Sequence, residues 1–190
     1  MVDFENDIRQ CINVLENGGT ILYPTDTVWG IGCDALNEAA VDKVFAVKQR
    51  PREKSLIVLL PDARDIFQYV AAPPPDIIGI IESFDRPTTV IFDGALCFPD
   101  NAIHESGSVA IRVPDDPFCK ALLKRFKKPI ISTSANLSGQ PTPDIFSEIA
   151  QEVRKGVDFV VRWRQDDKRR SAPSRIVKLD EDGRITIIRP

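Results

Sequence analysis

Apolar positions in the first part of the chain switch between two periods. Phe4, Ile8, Ile12 and Leu15 recur at helical spacing, which predicts a helix over 4–15 with Asp3 as its N-cap and Gly18-Gly19 as its stop. Thr20-Ile21-Leu22-Tyr23 then reads as a buried strand ended by Pro24. Helical spacing returns over 38–48 through Val41, Val44, Phe45 and Lys48. Ser55 to Leu60 is a continuous strand, patterned like one in a sheet covered on both faces. A helix is predicted at 62–70, before the stiff corner Pro73-Pro74-Pro75, and a further helical run follows directly.

The second half keeps the alternation. Strands are predicted at Thr88–Phe92 and Val109–Val113, a helix at 116–126, and a strand at Pro129-Ile130-Ile131. A polar loop leads to a helix at 144–154, and three strands close the chain at Phe159–Trp163, Arg175–Leu179 and Ile185–Ile188. Asp182-Gly183 is a hairpin signal between the last two. There is no internal repeat and no low-complexity tract. Strands alternating with helices, with an antiparallel end, predict an α/β domain with a mixed sheet spanning 1–190.

At 190 residues the chain favours one domain over two small ones, and it buries roughly 70% of its unfolded surface, so its core needs no disulfide or metal. Its 25 Lys and Arg against 28 Asp and Glu give a net charge of −3. That balance excludes coating nucleic acid by bulk charge while permitting a local basic site. No apolar run reaches the length of a membrane span, and the acidic N-terminus lacks the features of a signal peptide. Cys11, Cys33, Cys97 and Cys119 are scattered and form no CxxC pair, so reduced thiols and a cytoplasmic location are expected. A single histidine and unpaired cysteines leave no structural zinc site.

Three polar segments could carry chemistry. Lys48, Arg50, Arg52 and Lys54 alternate, and Pro51 biases Arg50 towards an extended backbone, so the four could form a cationic row suited to a polyphosphate. A solvated basic loop accounts for the spacing as well. Ser132-Thr133-Ser134-Ala135-Asn136-Leu137-Ser138-Gly139 is rich in hydroxyls and lies between a strand and a helix, which suits an anion or ordinary capping. Tyr23-Pro24-Thr25-Asp26-Thr27-Val28-Trp29-Gly30 interrupts apolar strands, and its threonines and aspartate either satisfy a turn or orient a small polar ligand beside Trp29. His104 has no nucleophile partner in the sequence, which argues against a histidine triad. Arg162, Arg164, Lys168, Arg169 and Arg170 enrich one long loop in charge, either as a solvated face or as a mobile cover over a phosphate or RNA.

Together these segments resemble the YrdC-like family of threonylcarbamoyl-AMP synthases. The matching pieces are residues 23–30, Lys-Gln-Arg-Pro at 48–51, Ser-Val-Ala-Ile-Arg-Val-Pro at 108–114 and the hydroxyl segment at 132–139. Ser-Ala-Pro-Ser-Arg-Ile-Val at 171–177 and the terminal Ile188-Arg189-Pro190 follow in the family's order. The resemblance implies a twisted, open mixed sheet flanked by helices, with a concave, positively charged cleft, in the family's short single-domain form. It implies synthesis of threonylcarbamoyl-AMP and pyrophosphate from L-threonine, bicarbonate and ATP; Mg2+ is expected with the ATP phosphates, and no protein ligand set is identified for it. The product would pass to the transferase machinery that makes threonylcarbamoyladenosine in tRNA.

Carried over by position, threonine contacts fall on Thr27, Arg112, Ser132 and Ser174. ATP contacts fall on Arg50, Lys54, Ser108, Ser134, Thr142 and Arg189, while Lys48 matches a lysine of the basic motif. Lys48 and Arg50 are the expected charge stabilisers, and no general base is assigned. Phe84-Asp85-Arg86-Pro87 replaces a Pro-Gly-Pro turn, Leu59 a histidine found in some members, Arg175 a threonine and Trp29 a tyrosine. The alternative from another class is a non-catalytic RNA-binding module that uses the basic cleft; a weak RNA contact is compatible with either reading.

Overall fold

The computed structural model describes residues 4–49, 51, 56–180 and 183–190. Along them run α1 (Glu5–Glu16), β1 (Ile21–Tyr23), β2 (Gly30–Gly32), α2 (Glu38–Lys48), β3 (Ile57–Leu59), α3 (Ile66–Tyr69), α4 (Ile77–Glu82) and β4 (Thr88–Phe92). There follow β5 (Val109–Arg112), α5 (Pro117–Phe126), β6 (Ile130–Ser134), α6 (Gln151–Gly156), β7 (Phe159–Val160), β8 (Arg175–Leu179) and β9 (Ile185–Arg189). The strands make one open mixed sheet in the order β7-β1-β2-β6-β3-β5-β4-β8-β9, flanked by the helices. Pairing is parallel for β1 with β7, β3 with β5 and β4 with β8, and antiparallel at the other joints.

Local chemistry sets the element ends. Asn37 accepts a hydrogen bond from the Ala40 N–H at the start of α2, and Gln49 ends that helix in the left-handed region. Asp116 caps α5 through the Cys119 N–H, with Pro117 at the first helical position. Asp3, the expected cap of α1, lies outside the described residues; Phe4 occupies the cap position and packs edge-on against Phe118 and Trp163. The predicted helix at 62–70 divides into a 3-10 turn and α3, after Asp62 captures the Arg64 N–H. The predicted helix at 144–154 also divides, because Ile149 is extended between a 3-10 turn at Phe146–Glu148 and α6.

Two strands differ from expectation in ways that matter. The strand expected to run to Trp163 stops at Val160, because one oxygen of the buried Asp7 carboxylate accepts the N–H groups of Arg162 (2.9 Å) and Trp163 (2.8 Å). That contact fastens α1 to the closing third of the chain. In contrast, β6 runs on through Ser132, Thr133 and Ser134, so this part of the hydroxyl segment is strand rather than loop. The turn after β6 leads into no helix directly, which removes the expected anion site at a helix N-terminus. Asp182 lies outside the described residues, but β8 and β9 form the expected antiparallel hairpin and Gly183 has a positive φ of 78°.

Alternation along the strands gives the sheet two different faces. Val58, Val90, Ile111, Ile131 and Val177 are fully buried in a core shared with α1, α2 and α5. Their neighbours Ile57, Ile91, Ala110, Ser132 and Ile176 point the other way and line a cleft. The expectation of cover on both faces therefore fails at Ile57. β9 forms one edge of the sheet and leaves Ile185, Ile187 and Ile188 exposed. Among the described residues no helix is long and apolar enough to cross a membrane.

Replacing Asp7 with alanine is expected to leave two partly buried amides without their acceptor, at a cost of about 2–3 kcal/mol. A fall in Tm of roughly 5–10 °C, with the urea m-value unchanged, is the outcome to look for. Wild-type stability would show that the fastening is incidental.

Candidate active site

The cleft has a volume of about 230 Å³ and draws its lining from β2, β3, β4, β5, β6, β8 and β9 and from the segments beside them. Seven of the predicted site residues meet here: Thr27, Arg112, Ser132, Ser134, Thr142, Ser174 and Arg189. The charged side chains among the described lining residues are the two arginines; the rest is hydroxyl or apolar. Trp29 walls one end, with its ring 4.8 Å from that of Phe146.

Arg112 ends β5 and is only 3% exposed. A buried guanidinium needs a counter-charge, and it forms an ion pair with Asp26. The second Asp26 oxygen accepts the Asp115 N–H at 3.1 Å, so the carboxylate is held from both sides. The Arg112 Nε remains without a hydrogen bond. The guanidinium is thus oriented by Asp26 on one side, and its Nε is buried without an acceptor.

The threonine-rich segment beside it has a fixed polarity. The Thr25 hydroxyl has one proton, which it donates to the Val28 carbonyl at 2.8 Å. It must therefore accept from the Thr27 N–H at 3.0 Å and from the Thr27 hydroxyl at 2.9 Å. Having spent its proton, the Thr27 oxygen offers the cleft lone pairs only and suits a donor such as an amine or hydroxyl. Ser174 is oriented by the Thr89 hydroxyl at 2.8 Å, and its carbonyl accepts from Arg189 at 2.6 Å. Gly30 leaves room for Ser132: a Cβ there would lie 2.9 Å from the serine oxygen.

Lys48 does not join the expected cationic row. It is the last residue of α2 rather than part of an extended row, and it is 1% exposed. Its Nζ donates to the carbonyls of Ser134 (2.5 Å) and Asn136 (2.8 Å), and its own carbonyl accepts the Ser138 N–H. Lys48 therefore holds the turn behind Ser134 from beneath, at the carbonyl-rich end of its helix, where a cation is favourable. Arg50, Arg52 and Lys54 lie outside the described residues. Ser108 is buried beside β5 but does not line the cleft; its hydroxyl accepts from Ser106, which in turn contacts His104.

Two arginines of the basic run at 162–170 face carboxylates of the protein itself. Arg169 is spent on Asp167, and Arg170 pairs with Asp144 and Glu148. The paired Arg169 holds the Asp167 carboxyl well below its ordinary range. The sequence reading missed Asp26 as the partner of Arg112, Thr25 as the frame of Thr27, and Thr89 behind Ser174. For Asp26 the available signal was an acid set between two threonines in a polar segment; Thr89 gave none.

A family model, Sua5/YciO/YrdC, described as telomere recombination, matches residues 13–190. A threonylcarbamoyl-AMP synthase of Pseudoalteromonas translucida is 34% identical over 160 residues, covering 83% of this chain and 86% of that protein. A putative threonylcarbamoyl-AMP synthase of Methanocaldococcus jannaschii is 36% identical over 173 residues, covering 90% of this chain and 79% of the other. Among solved structures, a double variant of P. abyssi Sua5 is similar with a TM-score of 0.87 and 25% identity over 98% of this chain. This chain spans 56% of that one, a little over half its length. P. abyssi Sua5 complexed with L-threonine shares the fold, with a TM-score of 0.85 and 24% identity over 98% of this chain and 54% of its own.

Because Lys48 supports a turn from below, Lys48→Met is expected to cost about 1–3 kcal/mol in urea unfolding, by leaving two partly buried carbonyls short of a donor. A solvated or purely phosphate-binding lysine would instead leave the unfolding midpoint unchanged.

Proposed function

The chain belongs to the Sua5/YciO/YrdC family, and from that premise we propose that it is a threonylcarbamoyl-AMP synthase, joining L-threonine, bicarbonate and ATP into the adenylate with release of pyrophosphate. The synthase relatives, similar over most of the chain, support this reading. The observation that carries it is the pairing, in one cleft, of a half-satisfied buried guanidinium with a hydroxyl oxygen that can only accept. An α-amino acid presents the complement of that pair, a carboxylate beside an amine.

In this reading Arg112 receives the threonine carboxylate, and the Thr27 oxygen holds the amine by its N–H, leaving the nitrogen lone pair for CO2 derived from bicarbonate. Ser132 and Ser174 bound the same half of the cleft. The resulting carbamate oxygen attacks the α-phosphorus of ATP, an O–P bond forms, and the bond to the β-phosphate oxygen breaks as pyrophosphate leaves. Ser134, Thr142 and Arg189 line the nucleotide half; Ser108, Arg50 and Lys54 complete the proposed ATP contacts. The reaction is a nucleotidyl transfer that relies on positioning and charge stabilisation, and no general base is assigned. One charge contact to the leaving group contributes a few kcal/mol, or about two to three decades in rate.

Magnesium is proposed as a companion of the nucleotide phosphates. Among the described residues no group of three or more His, Cys, Asp or Glu side chains could hold a metal, so no protein ligand is assigned and no step depends on one. The buried thiols of Cys11, Cys33 and Cys119 are pushed up by burial, in keeping with inert reduced cysteines and a proposed cytoplasmic location. The product would be consumed by a transferase acting on tRNA. The RNA-module reading is not favoured, since Arg169 and Arg170 are already paired with carboxylates.

Incubation with ATP, bicarbonate and threonine should yield pyrophosphate and the adenylate in equal amounts, and omission of threonine should abolish both. Pyrophosphate release independent of threonine would overturn the assignment. Arg112→Lys preserves the charge opposite Asp26 but not the planar fork. It is expected to raise the threonine KM about tenfold or more while the ATP KM stays within about twofold. Equal changes in both constants would remove Arg112 from the amino-acid half.

A further inference from the structure

The segment that carries Thr27 is held from a second side that the proposed reaction does not use. Arg164, in the loop between β7 and β8, has a backbone φ of +66° although it is not glycine. A left-handed arginine is uncommon and persists where its surroundings fix it. Here the side chain has three partners. Nη1 donates to the Thr25 carbonyl at 3.2 Å and to the Asp116 carboxylate at 2.9 Å, and Nε donates to Asp167 at 3.3 Å.

Each partner is committed elsewhere. Thr25 is the acceptor that fixes the Thr27 N–H and hydroxyl. Asp116 is buried and uses its other oxygen to cap α5. Its neighbour Asp115 holds Asp26, and through it Arg112, by a backbone N–H. The two adjacent aspartates therefore serve two cations. The Asp115 N–H acts on the 24–28 segment at Asp26, and the Asp116 carboxylate, through Arg164, acts on it at Thr25. Farther along the same loop, Arg170 reaches Asp144 and Glu148, close to the Thr142 that lines the nucleotide half.

We propose that Arg164 is a positioning residue for the amino-acid half of the cleft: it fixes the Thr25 carbonyl, and with it the acceptor oxygen of Thr27, without touching substrate itself. This rests on the synthase reading for its kinetic consequence but not for its structural one, and the two can be tested apart.

Arg164→Met keeps the length and apolar stem while removing all three donors; Arg164→Lys restores one compact charge that cannot serve three acceptors as the planar fork does. In pyrophosphate-release assays Arg164→Met is expected to raise the threonine KM at least tenfold, with the ATP KM within about twofold and kcat lowered less than the threonine KM is raised; Arg164→Lys should recover part of the loss. Equal rises in both KM values, or none, would overturn the proposal. Hydrogen exchange supplies a readout that needs no turnover. The Thr27 amide should exchange at least tenfold faster in Arg164→Met, while amides of β5 and β6 keep their protection. An unchanged Thr27 amide overturns the proposal even if activity falls. If Arg164→Met fails to fold, the same exchange comparison is made on Arg164→Lys, where an intermediate acceleration supports the proposal and none overturns it. Wild-type protein that releases no pyrophosphate with threonine would overturn the synthase reading alone, and the exchange result would still decide the placement.

Discussion

Moving a guanidinium from water into the floor of a sheet costs several kcal/mol unless a counter-charge and hydrogen bonds travel with it. Arg112 meets that condition through Asp26, and the requirement propagates outward. Asp26 must be brought over the end of β5, so the polar segment after β1 has to fold across the cleft. The Asp115 N–H must face it, which fixes how the chain enters α5. Removing either member of the pair would leave the other buried and uncompensated, a change that typically costs 3–5 kcal/mol. An apolar pair could make the floor as stable, but it would place no oriented guanidinium at the cleft.

The two halves of the cleft are built differently. In the proposed amino-acid half three polar groups are each held by a second protein group: Arg112 by Asp26, Thr27 by Thr25, and Ser174 by Thr89. Such double fixation suits a ligand whose carboxylate and amine lie at a set separation. In the proposed nucleotide half Thr142 follows an irregular segment, and Arg189, though it donates to the Ser174 carbonyl, comes from an edge strand with one sheet neighbour. Charge complementarity there tolerates looser geometry, since phosphate oxygens accept from many directions.

Periodicity was enough for α2, whose apolar spacing and Asn37 cap left few alternatives, and for β4, β5 and the β8–β9 hairpin. It failed where a distant side chain intervened. The end of β7 depends on Asp7, more than 150 residues away in the chain, and no local pattern carries that information. The periodicity placed Lys48 in the helix, and the extended row read from alternating cations does not include it, because its cation turns inward to two carbonyls of a distant turn. The cleft residues were legible from family resemblance and not from spacing, because Thr27 and Arg189 stand at opposite ends of the chain. Their supporting partners stayed hidden because a threonine behind a serine looks like any other strand residue.

One consequence concerns how such a site can change over evolutionary time. Ser132 and Ser134 reach the cleft because they are two apart on a strand clamped between the antiparallel neighbours β2 and β3. A point substitution in β6 alters one contact and leaves the rest in place. Loss or gain of a single residue between Ile130 and Ser134 would instead exchange the two faces, turning Ile131 outward and driving serines into the core. Lineages carrying this sheet can therefore tune specificity by substitution, while changes in chain length are confined to the loops. The hydroxyl row itself can be inherited, altered residue by residue, or lost, but it cannot slide.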